Sequence, residues 1–237
     1  MNLLTSVVKE SVLSSPQVSR QASLHRGTLL YAQSQTAEAA FLIEQGLVKL
    51  TRNNGSGGRI ILMVCGPGQL VGEEVFSTEN KVYYTSAEVL TSASVIRIPR
   101  DTLVEHISAD SNLGSAMVHY ILEQKLSLAE KVELLCLHDV EYRILHYLAE
   151  LTQLVGAREG EEHQIPITQL ELADLVGATR ETTSTTLNNL ERRGLVKLSR
   201  RLLSIPSPSQ LREAAQARAV PRAAAASHAG QEQPVTP

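Results

Sequence analysis

Residues 167–198 read ITQLELADLVGATRETTSTTLNNLERRGLVKL. Thr168 stands where a helix cap is needed, and Glu171 follows three residues later, the spacing of a reciprocal capping box. Leu172, Leu175 and Val176 recur at helical spacing and predict one buried face. Gly177 supplies the left-handed residue on which a helix ends. Thr179 caps a second helix, which carries the run Thr182, Thr183, Ser184, Thr185 and Thr186. Branched hydroxyl side chains lose rotamer freedom in a helix, so this run lowers helix stability. It suits a helix whose outer face must fit phosphates and base edges. Leu187 and Leu190 provide the buried side, and Gly194 stops the helix. Leu195–Ile205 then alternates as a hairpin wing turning near Arg200. The segment reads as a helix-turn-helix that enters a DNA major groove. The alternative is a helical pair with an ordinary solvated charged face.

Charge supports DNA binding locally. The chain as a whole carries −3. From Thr179 to Leu203, however, Arg180, Arg192, Arg193, Lys197, Arg200 and Arg201 face only Glu181 and Glu191. A local patch suffices, because phosphate neutralisation depends on the docking face. Hydrophobic residues make up 43% of the chain, enough for a core. No apolar run approaches the ~20 residues of a membrane span. The N-terminus lacks a signal-peptide pattern, so a cytoplasmic protein without a membrane partner is expected. Cys65 and Cys136 form no metal or disulfide spacing and read as buried small residues. No nucleophile elbow, phosphate loop or metal-ligand spacing marks an enzyme.

Residues 24–98 read as all-β. Short apolar runs (Leu29–Tyr31, Phe41–Ile43, Leu47–Leu50, Ile60–Val64, Val95–Ile98) alternate with glycine corners, and Asn53–Gly58 is a hairpin turn. That spacing implies a small barrel or sandwich. A long helix follows. Val118, Ile121, Lys125, Leu128, Val132 and Leu135 step by threes and fours, the seam of a helix pair. A second stripe, Leu113, Met117, Leu122, Leu126 and Ala129, is expected to pack on the β domain. One wide core stripe in a monomer is the alternative. Asp139 caps the next helix, which makes His138-Asp139 the natural hinge. A short strand is expected over Ile165–Ile167. From Ser209 the chain is rich in Ala, Gln, Pro and Ser and reads as a disordered tail.

With LVGEEVF at Leu70–Phe76, AEKV at Ala129–Val132 and VGATRETT at Val176–Thr183, the chain resembles the Crp/Fnr family of bacterial transcription regulators over residues 20–206. The resemblance implies an α+β architecture. An N-terminal β-roll of the cyclic-nucleotide-binding jelly-roll type, with a helical segment before it, occupies 1–110. A dimerisation helix covers 111–137, a winged helix-turn-helix 138–208, and the tail 209–237. It also implies a homodimer on a pseudo-palindromic operator, with double-stranded DNA and RNA polymerase as partners. By that match Arg180 forks onto a guanine, and Glu181 accepts from a cytosine amino group. Thr182, Thr168 and Gln169 touch phosphates. Thr185 stands where the family's cyclic-AMP receptor has a second arginine, and its methyl suits a thymine instead. Arg200 and Arg201 on the wing meet the backbone.

The implied effector pocket is Gly72, Glu73, Tyr83, Tyr84 and Leu128. Here the sequence departs from the cyclic-nucleotide binders. Their phosphate-holding Arg-Ser falls near Tyr83-Tyr84, and no arginine lies between Arg59 and Arg97. Leu128-Ala129 replaces the pair that meets the nucleotide base. A phosphate buried without a cation carries a large desolvation cost, and Lys81 is the one nearby substitute. No cysteine precedes Cys65 to hold an iron–sulfur cluster. His25, His106 and His119 read as surface or packing residues rather than haem ligands. The expectation is a regulator with no cofactor and no metal, not gated by cyclic AMP, whose effector the sequence does not name.

Overall fold

The computed structural model describes residues 3–77, 81–156 and 162–219. Within the N-terminal part, eight strands build two facing antiparallel sheets. They are β1 (Ser19–Leu24), β2 (Leu29–Tyr31), β3 (Ala39–Gln45), β4 (Val48–Asn53), β5 (Arg59–Cys65), β6 (Leu70–Val71), β7 (Ser86–Val89) and β8 (Ala93–Pro99). One sheet runs β1-β8-β3-β6 and the other β2-β7-β4-β5. Apart from the β4–β5 hairpin, strands adjacent in sequence lie in opposite sheets, as in a jelly roll. The β4–β5 hairpin pairs Asn53 with Arg59, across the Asn54–Gly58 turn that the sequence signals. In β3, Ala39–Ile43 are all buried, because that strand is covered on both faces. Helix α1 (Leu3–Ser11) adds Leu4 and Val8 to the roll's core, and α2 (Arg100–Ala109) leads out of it.

Helix α3 (Ser111–Leu137) has 27 residues and is about 40 Å long at 1.5 Å per residue. Asp110 caps it by accepting from the Asn112 amide. Its first three turns bury Leu113, Ala116, Met117 and Tyr120 against the roll. The Tyr120 hydroxyl donates to the Leu70 carbonyl and accepts from the Leu70 amide, which pins β6. Beyond Tyr120 the helix outruns the roll. The expected second stripe therefore holds only in its first half: Leu122, Leu126 and Ala129 are exposed instead of packed on the β domain. At the far end Lys131 and Leu134 are buried again, now against the C-terminal domain. Cys65 is buried as expected, but Cys136, on the outer side of this last turn, is exposed.

Helix α4 (Val140–Leu154) is capped by Asp139, which accepts from the Tyr142 amide. Strand β9 (His163–Ile165) follows, two residues earlier than expected; Pro166 has no amide hydrogen to extend the ladder. Then come α5 (Gln169–Val176), α6 (Arg180–Arg192), β10 (Lys197–Ser199), β11 (Leu202–Ile205) and α7 (Pro208–Ala219). The small sheet has the order β10-β11-β9. Helix α7 corrects the expectation of a tail beginning at 209. Leu211 is fully buried on α4, Ala214 and Ala215 pack beside it, and Arg218 bonds both Asp139 carboxylate oxygens. One leucine and two alanines on one face suffice because α4 supplies the rest of the core. Residues 220–237 of the expected tail lie outside the described residues.

Candidate nucleic-acid interface

The helix-turn-helix is built from local contacts. The Thr168 hydroxyl accepts from the Glu171 amide at 3.1 Å, and the Glu171 carboxylate accepts from the Thr168 amide at 2.9 Å, closing the capping box. Gly177 has φ 63°, and a methyl there would lie 2.6 Å from Leu135 Cδ2. The turn therefore needs glycine for conformation and for room. Thr179 caps α6 by accepting from the Thr182 amide at 3.1 Å. Thr183, Leu187 and Leu190 face inward, fully buried. Arg180, Glu181, Thr182 and Thr185 share the exposed side of α6. Thr168 and Gln169 are half-buried at the start of α5, where free amide groups and the helix dipole favour phosphate.

The six cations of the patch are not equivalent. Arg193 is held by Glu141 at 2.6 Å and Lys197 by Glu162 at 2.8 Å. Arg180, Arg200 and Arg201 are exposed and make no ion pair among the described residues. Arg200 and Arg201 form the tip of the β10–β11 hairpin, with Arg201 at φ 69°. Arg192, bonded only to the neutral Asn189 amide, likewise makes no ion pair among the described residues, so the unpaired positive charge sits at both ends of α6 and at the tip of the hairpin.

The residues read as an effector pocket stand around a closed aromatic stack. Tyr83 is 3% exposed. Its ring stacks on Tyr31 with centroids 3.8 Å apart. Its hydroxyl donates to the Ala39 carbonyl at 2.6 Å and accepts from the Ala39 amide at 3.1 Å. Gly72 lies at φ 87°, and a methyl there would meet the Tyr83 ring at 3.2 Å and the Ala39 carbonyl at 3.0 Å. Glu73 begins a single 3-10 turn, Glu73–Phe76. Burial first, then the neighbouring Glu74, pushes its carboxyl up to about 7. Glu74 accepts from the Tyr84 amide through one oxygen, and its other oxygen is buried with no partner among the described residues. Tyr84 is exposed, with the Arg52 guanidinium 5.2 Å from its ring. Lys81 is exposed. Leu128 lies outside this cluster, on the exposed face of α3. Glu73 and Glu74 thus stand beside the stack, together with the Thr85 hydroxyl, 3.5 Å from the Tyr31 hydroxyl, and the Arg97 charge that acts on Tyr83. Among the described residues no group of three metal-binding side chains converges.

Along α3, Val118, Ile121, Leu128 and Val132 are 68%, 46%, 41% and 60% exposed. Lys125 is exposed within the same row. Leu135, the last residue of that row, is half-buried against Gly177 of the helix-turn-helix. One turn before it, the Lys131 ammonium donates to the Leu175 carbonyl at 2.7 Å. Burial pulls Lys131 down to about 8. The apolar row and the helix-turn-helix are thus linked through the end of α3.

Sequence reasoning missed the contacts that join head and roll. Lys49, Arg26 and Arg59 of the roll bond Glu171 and Asp174 of α5. One signal was present: Lys49 interrupts the apolar run Leu47–Leu50, and a charge in a buried strand needs a partner.

Two family models match the chain: "Cyclic nucleotide-binding domain" over residues 21–110 and "Crp-like helix-turn-helix domain" over 142–214. The chain is 26% identical over 189 residues to a CRP-like cAMP-activated global transcriptional regulator of Mycobacterium tuberculosis, covering 78% of this chain and 84% of that one. It is 27% identical to the nitrogen fixation regulation protein FixK of Azorhizobium caulinodans, over 75% of this chain and 72% of that one. Among solved structures, FixK2 from Bradyrhizobium japonicum shares the fold at a TM-score of 0.70 and 18% identity, over 83% of this chain and 96% of that one. A transcriptional regulator of the CRP family from Thermus thermophilus does so at 0.70 and 24%, over 84% and 96%.

Proposed function

The chain belongs to the Crp/Fnr family of DNA-binding transcription regulators, and from that premise we propose that it acts in the cytoplasm as a homodimer on a pseudo-palindromic operator, with no gating by cyclic AMP. Arg180 and Glu181 read base edges, Thr185 meets a thymine methyl, and Thr182, Thr168 and Gln169 fix register on phosphates. Arg200 and Arg201 add backbone contacts from the wing. The apolar row of α3 joins two copies, and RNA polymerase is the further protein partner.

The observation that carries the ungated reading is the Tyr83–Tyr31 stack against Gly72 with Glu73 and Glu74 beside it. A cyclic phosphate placed there would displace two buried rings. It would also lie beside the Glu74 carboxylate and the raised Glu73 carboxyl, while the Arg52 guanidinium is already engaged with Tyr84. The Mycobacterium relative is described as cAMP-activated, so shared family alone does not decide gating. The test is the DNA affinity of the purified protein with and without saturating cyclic AMP or cyclic GMP. Equal affinity within a factor of ~2 supports the proposal; a gain of tenfold or more, about 1.4 kcal/mol, overturns it.

A further inference from the structure

We propose that Glu171 positions the DNA-reading head on its own β-roll, as the centre of an ion-pair clamp formed with Lys49 and Arg26 and extended by Asp174 and Arg59. This rests on the reading of α5 and α6 as the DNA-reading unit. Glu171 is 7% exposed and spends its two oxygens on different tasks. Oε1 accepts from the Lys49 ammonium at 2.8 Å. Oε2 closes the capping box with Thr168 and also accepts from the Arg26 guanidinium. Lys49 is 3% exposed and bonds Glu88 of the roll as well, at 2.8 Å. Arg26 also donates to Leu90 of the roll at 2.8 Å and to Pro166 of the head at 2.5 Å. One turn along α5, Asp174 accepts from Arg59 at 3.0 Å. Burial raises the Glu171 carboxyl, but hydrogen bonds from Lys49 and Thr168 outweigh it and hold the group below its ordinary value.

A capping box needs only an acceptor at this position, and glutamine serves as well as glutamate. The charge answers the roll. Buried ion pairs add little net stability, because desolvation offsets attraction, but they fix geometry well. The geometry fixed here is that of α5, which lies between the roll and α6. Its Glu171 and Asp174 face the roll, while Leu172, Leu175 and Val176 pack into the head. In this pose Arg180, Glu181 and Thr185 remain exposed. The clamp therefore holds the head without covering its reading face. Two heads that must enter successive grooves gain most avidity when their separation matches the groove spacing.

The test uses the full chain carrying Cys136→Ser, with spin labels on cysteines placed at Ser56 in the β4–β5 turn and Asn188 on α6. Both positions are exposed. Excess unlabelled chain isolates the intrachain distance. The clamp predicts one narrow distance in the parent and a broad or shifted one in Lys49→Met and in Glu171→Gln. Arg59→Asp and Asp174→Arg should each broaden it singly and restore it together. Parent-like distributions in Lys49→Met and Glu171→Gln would overturn the proposal. As a second readout, Lys49→Met should bind a palindromic site about tenfold more weakly while binding an isolated half-site as the parent does. Equal loss on both would also overturn it, since the head itself would then be damaged. If the parent bound no duplex DNA, the functional reading would fail, and the distances would still decide the clamp.

Discussion

Replacing Ile121 by glutamate attacks the proposed dimer at the middle of its seam. Fully burying a Val, Leu or Ile side chain contributes about 1.5–3 kcal/mol. Val118, Ile121, Leu128 and Val132 each retain 41–68% of their surface exposed in the single chain. Burying the remainder is therefore worth about 1 kcal/mol apiece. A two-fold axis repeats the row, giving about 8 kcal/mol before the cost of association is subtracted. Ile121→Glu removes about 1 kcal/mol from each protomer and places a carboxylate in an apolar contact, at a further cost of about 2 kcal/mol or more. The symmetric total, about 6 kcal/mol or more, raises the dimer Kd roughly ten-thousandfold or more. Sedimentation velocity at micromolar concentration should then show a dimeric parent and a monomeric variant. Val104→Glu, at a 40% exposed position on α2, should remain dimeric. A dimeric Ile121→Glu protein with the parent's Kd would refute the assignment of this face.

Leu211→Ala should lower unfolding free energy by about 3 kcal/mol in a urea titration, because the side chain is fully buried and leaves a cavity against α4; a change under ~0.5 kcal/mol would return this segment to a tail. Arg180→Ala should cost about 1–3 kcal/mol on the preferred site and relax preference at one guanine. Arg200→Ala should weaken all sequences alike and lower the salt slope by about 1, and identical uniform losses in both variants would contradict the division into base and phosphate contacts. Glu73, with its carboxyl raised to about 7 against an ordinary 4.5, keeps in the folded state a proton that the unfolded chain has released over that interval. Its contribution is complete at low pH and is lost as pH rises through 7, so Glu73→Gln should flatten the fall in stability between those values. An unchanged curve from pH 5 to 8 would show that Glu73 ionises normally.

What could be read from the sequence was local. Thr168 with Glu171, Thr179, Asp139, Gly177 and Gly194 each act within a few residues of themselves, so their spacing alone announced caps and stops. The Asn54–Gly58 turn and the apolar strands on either side were legible for the same reason. Strand β1, SRQASL, and β7, SAEV, carry too little apolar alternation to be noticed. They are strands because β8 and β4 offer them a ladder. Helix α7 escaped because its apolar face is one leucine and small alanines, completed by α4. The point where α3 leaves the roll depends on how long the roll is, which no periodicity records. The aromatic filling at Tyr83 and the clamp at Glu171 join residues 44 to 145 positions apart, and of these only the misplaced charge of Lys49 left a mark.

Selection of binding sites from random duplex DNA with the purified chain, in the absence of any nucleotide, tests the central claim most directly. The account predicts recovery of an inverted repeat whose half-site centres lie about one helical turn, ~34 Å, apart, with a guanine in each half-site that Arg180→Ala no longer selects. Recovery of no enriched sequence, or of a single asymmetric site bound by one chain, would contradict it.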